Sequence, residues 1–301
     1  MEDNGSSEVE VKMTNSVYQP TRISKKKGLP LRNQFYKMNH PRRGLCLVFN
    51  IENFSGDNQG LQSRKGSAAD VVEIQNTFHM LGFEVVPYTD PTTRQIKDVL
   101  HEASSRPENL QSDCFVCWIL SHGTLGSVYT SDGELKLNHL ISSFTTGGTL
   151  GGKPKIFFVQ ACQARQEARR VNSQDGADNN GVIDKEAVEE LPQDTDDDGF
   201  CYGLPSYPDF LFAFATPPGY YAFRNDRSGS CFVTFLCLIL RQCTARTPVK
   251  DLLSLLVTVA RKMSFEYESR SKTESRDKKK QVLCYQSSLR KKVFFTWPQA
   301  S

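Results

Sequence analysis

Two side chains in this sequence could together cleave an acyl bond. Cys162 closes the stretch that runs from Lys153 through the apolar Ile156 to Val159 and on to Gln160 and Ala161. His122 closes another, the run Cys114 to Leu120 followed by Ser121, His122 and Gly123. Both runs are short and unbroken, the pattern of strands buried on both faces of a parallel sheet. In an open α/β sheet the loops that follow parallel strands emerge at one edge, where ligands bind. A thiol there has an ordinary pKa of about 8.5 and is mostly protonated at neutral pH, so it needs a base, and an imidazole on a neighbouring loop supplies one. The amide of Gly123, unobstructed by a side chain, can pair with the Cys162 amide as an oxyanion hole. Taken singly, Cys162 reads equally well as a small buried thiol and His122 as a solvated loop histidine. Their convergence on one edge favours a nucleophile and its base.

The elements that must hold these loops are legible as alternating strands and helices. Gly44 to Ile51 reads as a first buried strand. A helix capped by Ser67 follows to about Leu81, with Val71, Ile74, Phe78 and Leu81 inward. Phe83 to Val86 is a second strand, and Thr93 to Ala103 a helix with Ile96, Val99, Leu100 and Ala103 inward. Cys114 to Leu120 and Lys155 to Gln160 are the third and fourth strands. After residue 204 come a strand over Asp209 to Ala215 and a helix from Ser230 to about Arg241, with Phe232, Phe235 or Leu236, Ile239 and Leu240 inward. Thr247 and Pro248 open another helix carrying Leu252, Leu253, Leu256 and Val259, and short strands close the chain at Gln281 to Tyr285 and Val293 to Phe295. The order predicts an α/β fold with a mostly parallel sheet and helices on both faces.

The totals bound the class. The chain has 301 residues, 38% hydrophobic and 10% aromatic, an ordinary globular composition. A net charge of +3 gives no argument for nucleic acid or a membrane surface as partner. No apolar run approaches the ~20 residues of a membrane span, and the N-terminus has no signal-peptide core. Nine scattered cysteines suit reduced thiols and a cytoplasmic location. Residues 1–39 are polar, end in a basic stretch and read as a flexible leader. Residues 173–204 hold ten acidic side chains against the single base Lys185, the composition of a disordered linker between two structured blocks, 40–172 and 205–301. Two apparent metal motifs fail. Asp194 to Gly199 opens like a calcium loop, but its twelfth position is Pro205 rather than a bidentate glutamate. Cys114 and Cys117, three apart on a strand, point to opposite faces. No metal or cofactor is expected.

The words around the nucleophile resemble the caspase family. Gln160-Ala161-Cys162-Gln163 matches its nucleophile motif and Ser121-His122-Gly123 its histidine loop. Arg64-Lys65-Gly66-Ser67 is similar to its arginine loop, and Tyr221-Ala222-Phe223-Arg224-Asn225 to the substrate-pairing segment of its small subunit. The match runs in consistent order from about Tyr36 to Pro298. The wording before His122, and Leu289-Arg290-Lys291-Lys292, resembles the initiators of the death-receptor branch most closely.

The resemblance implies the caspase-like fold, with six central strands, processed into a large and a small subunit. It implies a primary pocket of Arg64, Gln160 and Arg224. Two guanidiniums in one pocket call for a carboxylate between them, and a neutral substitute would leave buried charge unpaired at about 3–5 kcal/mol. Substrates would be proteins with exposed aspartate-bearing loops, cut after the aspartate in apoptosis or related signalling. Tyr221 and Phe223 would line the adjacent apolar subsite, with the backbone at Ala222 pairing to the peptide. A carbonyl near Gln62 would orient His122. Asp175 and Asp198, each followed by glycine, would be the processing sites of a zymogen, and the working form a homodimer of large and small pairs, with a possible upstream initiator or adaptor. Ala164 stands where the family has glycine, and Cys231 where a tryptophan walls the fourth subsite. A leader of 39 residues is too short for a death-fold recruitment module. A catalytically inactive homologue that regulates active partners by heterodimerising is the alternative, although every expected site residue is present. Cleavage after basic residues would need an acidic pocket instead.

Overall fold

The computed structural model describes residues 34–58, 60–145, 148–164, 207–225, 228–244, 250–269 and 277–295. Its strands in chain order are β1 (Leu45–Asn50), β2 (Glu84–Thr89), β3 (Phe115–Leu120), β4 (Gly123–Thr124), β5 (Ser127–Tyr129), β6 (Glu134–Lys136), β7 (Lys155–Gln160), β8 (Phe210–Phe214), β9 (Arg224–Asn225), β10 (Gly229–Ser230) and β11 (Cys284–Ser287). The α-helices are α1 (Ser67–Met80), α2 (Thr93–Ser105), α3 (Leu137–Ile141), α4 (Cys231–Thr244) and α5 (Leu252–Glu266).

Six strands form the central sheet in the order β11-β8-β7-β3-β1-β2, parallel except for β11, which runs antiparallel to β8. Every residue of β1, β3, β7 and β8 is buried, as unbroken apolar runs require. Alternation divides those side chains between two cores. Val48, Trp118, Phe158 and Leu211 face Ile74 and Phe78 of α1, Phe232 and Leu236 of α4, and Val259 of α5. Phe49, Ile119, Phe157 and Phe212 face Ile96 and Leu100 of α2 and Leu140 of α3. Trp118 and Phe158 stack at 4.5 Å between centroids on the first face, Phe157 and Phe212 at 4.7 Å on the second. Cys114 belongs to one core and Cys117 to the other, the opposite-face reading of that pair.

The chain passes from β1 to β2 on one side and returns to β3 on the other. The strand order therefore reverses between β1 and β3, and their carboxyl ends open the crevice in which such sheets bind ligands. Within the same edge a small three-stranded sheet, β4-β5-β6, grows out of the loop after β3.

Several expected boundaries are corrected. Ser67 does not cap α1: Gly66, with φ 83°, holds the cap position, and the Ser67 hydroxyl accepts from Asn50 and donates to Glu52. The second strand is longer than Phe83 to Val86 and tolerates Pro87 because it lies at the sheet edge. The α5 helix starts at Leu252 after Asp251 rather than near Pro248, which lies outside the described residues. The last sheet strand is Cys284–Ser287, and Val293 to Phe295 forms no strand, although Val293 and Phe295 are buried and Phe295 packs on Phe83. The linker 173–204, with Asp175, Asp198 and the calcium-like stretch, and the leader up to residue 33 lie outside the described residues.

Candidate active site

Cys162 and His122 emerge from neighbouring strands, β7 and β3, whose last residues Gln160 and Leu120 are register partners. The amide of Ser121 donates to the Gln160 carbonyl at 3.1 Å, extending the ladder to the base of both loops. Beyond it the loops touch. A Cβ placed on Gly123 would lie 2.8 Å from the Cys162 carbonyl oxygen, 2.9 Å from the Ala161 methyl and 2.9 Å from the Ser127 carbonyl oxygen. Only glycine fits there without the loops moving apart. Leu125 donates to the carbonyl of Ala164 at 3.2 Å, a second tie between the loops that tolerates alanine at that position.

His122 is held from two sides. Its Nε2 lies 2.8 Å from the Gln62 carbonyl oxygen, the carbonyl expected to orient it. A carbonyl only accepts, so Nε2 carries the proton and Nδ1 is the basic nitrogen. The ring of Phe54 stacks on the imidazole at 5.2 Å and 29°, a contact with no signal in the sequence. Gln62 is positioned in turn by its neighbours. Ser63 donates to Asn53, the Arg64 amide donates to the Glu52 carbonyl, and Asp90 accepts from the amides of Glu52 and Asn53.

Cys162 is half-buried. The Ala222 amide lies 3.5 Å from its sulfur and the Ala222 carbonyl oxygen 3.8 Å, so the segment Tyr221-Ala222-Phe223 runs directly across the thiol. That segment is fastened by Gln281, a buried amide that accepts from the Phe223 N–H at 2.8 Å and donates to the Ala215 carbonyl at 2.8 Å. Phe223 lies 6.3 Å from Tyr267. Cys231, at the start of α4, is buried and burial pushes its thiol up to about 12, so the thiol is unreactive.

The three candidate pocket residues collect beside this centre. Arg64 is 2% exposed. Its Nη1 donates to the carbonyls of Ile51 and Leu120, both at 2.8 Å, and to Asn50 at 3.3 Å, which sets the guanidinium in the crevice between β1 and β3. Burial, and then the neighbouring Arg224, pull its pKa down to about 10, so it stays charged at neutral pH under electrostatic stress that a bound carboxylate would relieve. Arg224, on β9, reaches back to the Lys65 carbonyl beside Arg64. Gln160 is buried at the end of β7, and its Oε1 has no hydrogen-bond partner among the described residues. A buried amide oxygen without a partner is a group open to a polar ligand.

A site assembled this way from a cysteine, a histidine and an arginine-rich pocket on a mostly parallel sheet defines a cysteine-protease class, and comparison with known proteins assigns it. The model of the caspase domain matches residues 43–294. Caspase-3 of Bos taurus is 33% identical over 262 residues, spanning 86% of this chain and 87% of its own length. Caspase-7 of Gallus gallus is 32% identical over 86% of this chain and 79% of its own. The crystal structure of caspase-1 from Spodoptera frugiperda superposes with a TM-score of 0.70 at 31% identity, over 88% of this chain and 96% of that one. The chain belongs to the caspase family.

Proposed function

We propose that this chain is an active cysteine endopeptidase that cuts protein substrates after aspartate, in apoptosis or related cell-death signalling. The observation that carries the reading is the contact of the two loops: Gly123 lies against the Cys162 carbonyl with no room for a side chain, while His122 is fixed through Nε2. The Cys162 thiol gives its proton to His122, and the thiolate attacks the carbonyl carbon after the substrate aspartate. The Gly123 and Cys162 amides donate to the developing oxyanion. The C–N bond breaks as His122 protonates the leaving amine, and His122 then activates water to release the acyl group. Arg64, Gln160 and Arg224 hold the aspartate carboxylate, and the backbone at Ala222 pairs with the peptide.

The zymogen reading rests on the acidic linker, with Asp175-Gly176 and Asp198-Gly199 as cleavage points between blocks 40–172 and 205–301. A homodimer of large and small pairs is supported by β11, an edge strand with Tyr285 exposed, and cytoplasmic action by cysteine usage, with seven free thiols among the described residues. Among the described residues no helix is long and apolar enough to cross a membrane. The presence of Cys162, His122, Arg64, Gln160 and Arg224 together favours the enzyme over an inactive regulatory homologue.

Intact-mass measurement of the wild type beside Cys162→Ala, with hydrolysis of a peptide carrying aspartate before the scissile bond, tests the reading. Peptide turnover by the wild type, with breaks after Asp175 or Asp198 absent from the variant, supports it. A wild type that stays whole on its own and, once cut by an active caspase and separated from it, still turns nothing over overturns it in favour of the regulatory homologue.

A further inference from the structure

Asp70 is a buried carboxylate that the proposed chemistry does not use. It sits in the first turn of α1, 1% exposed, three residues after the Arg64-to-Ser67 loop. Its Oδ1 accepts from the Ser230 amide at 2.6 Å and its Oδ2 from the Ser230 hydroxyl at 2.5 Å. Ser230 is the residue of β10 paired with Arg224 of β9, so the hairpin bearing the second pocket arginine hangs on this carboxylate. Gly229, with φ 81°, completes the fit: a Cβ there would collide with the Asp70 carboxylate oxygen. The charge has a partner too. Arg64 and Arg224 both act electrostatically on Asp70, although burial still pushes its carboxyl above the ordinary range.

We propose that Asp70 is the positioning residue of the pocket, anchoring the Arg224 hairpin of the second block to α1 of the first and setting one negative charge behind the two arginines. The inference deepens the aspartate-pocket reading and rests on it. A fixed carboxylate behind the two arginines offsets part of their mutual repulsion and leaves the pocket suited to an anionic substrate side chain. Asp70 makes its hydrogen bonds to Ser230 rather than to Cys162 or His122, so its loss acts on substrate capture rather than on the chemical step.

The test compares wild type, Asp70→Ala, Asp70→Asn and Gly229→Ala, at a temperature where each is folded by circular dichroism. Steady-state kinetics use paired peptides with aspartate or asparagine before the scissile bond. Removing two charge-assisted hydrogen bonds is expected to raise KM for the aspartate peptide in Asp70→Ala by about 30-fold or more, with kcat within about threefold. Selectivity over asparagine falls in parallel. Asp70→Asn, which retains an acceptor for Ser230, loses less, and Gly229→Ala shows the Asp70→Ala pattern by pushing on the same carboxylate. Alkylation of Cys162 by iodoacetamide stays at the wild-type rate in all of them. A lowered melting temperature with KM and selectivity unchanged overturns the proposal and leaves Asp70 a packing residue. If the wild type turns nothing over, the protease reading fails separately, and affinity for an acetylated tetrapeptide ending in aspartate decides the inference: weaker binding to Asp70→Ala supports it, equal binding or none by the wild type overturns it.

Discussion

Gly123→Ala adds one methyl group at the point where the histidine and cysteine loops meet. The new carbon would lie 2.8–2.9 Å from the Cys162 carbonyl oxygen, the Ser127 carbonyl oxygen and the Ala161 methyl, against 3.4–4 Å for an ordinary contact. Two of the three obstacles are backbone, so no rotamer change relieves them, and the loops must part by roughly half an ångström. Overpacking of this kind costs about 1–3 kcal/mol, which lowers the melting temperature by about 2–10 °C in a chain of this size. Oxyanion donors work only when held within about 0.5 Å of their productive position, and loss of one costs about 10²–10³ in kcat. We therefore expect Gly123→Ala to lose at least about a hundredfold in kcat for an aspartate peptide, with KM within about threefold because Arg64, Gln160 and Arg224 are untouched. Iodoacetamide alkylation of Cys162, which needs the thiolate but no oxyanion hole, should change by only a few-fold. A variant that keeps kcat within about tenfold while its melting temperature falls would refute the assignment of this contact to catalysis. Loss of alkylation along with turnover would shift the damage from the oxyanion hole to the Cys162–His122 pair.

Two further outcomes are expected. Phe54→Ala removes the ring stacked on His122; a contact worth about 0.5–1.5 kcal/mol should cost about 3–10-fold in kcat with KM unchanged, and a change confined to KM would contradict a role on the imidazole. Lys155 is buried at the start of β7, its ammonium donating to the carbonyls of Leu150 and Lys153, and burial pulls its pKa down from 10.5 to about 8. Between those two values the unfolded chain binds more protons than the folded one, so this residue makes stability rise with pH through that window. At pH 7 it is a destabilising buried charge, and Lys155→Met should raise the melting temperature there, by up to the equivalent of about 3 kcal/mol less the loss of its two hydrogen bonds. The advantage over wild type should shrink as pH rises from 7 to 10.5; an advantage independent of pH would trace it to packing instead.

What was legible in the sequence follows from how much each feature depends on local pattern. The buried strands β1, β3, β7 and β8 read directly, because a strand covered on both faces must be a continuous apolar run. Cys162 and His122 followed from their positions just past two of those runs, and the family resemblance added Arg64, Gln160 and Arg224. The strands β4, β5, β6, β9 and β10 escaped notice, being two or three residues long and held by partners rather than by composition. Ser67 looked like a cap because serine before an apolar helix usually is one; its hydroxyl is instead drawn into the Asn50 and Glu52 network behind Arg64. Asp70 and Phe54 carried no signal, since an acid in a first helical turn reads as a complement to the helix dipole and a loop phenylalanine as packing. Their significance exists only across the tertiary fold.

That dependence bears on the proposed processing. Arg64, His122, Gln160 and Cys162 precede the acidic linker, while Ala222 and Arg224 follow it, so the candidate site is shared between two blocks. The break would fall between β7 and β8, which are adjacent parallel partners in the centre of one sheet. Separating them would strip the ladder from two strands buried on both faces and part α1 from α4, where Arg241 pairs with Glu73 at 2.5 Å and donates to Thr77 at 2.6 Å. It would also break the contacts of Tyr36 with Asp209, at the entry to β8, and with the Arg290 amide. None of these interactions involves the linker itself. A cut there would leave these interactions in place and remove chain connectivity, a loop-closure entropy that grows slowly with loop length. On the proposed processing, the two blocks would therefore stay together through the sheet and the α1–α4 contact after the linker is cut.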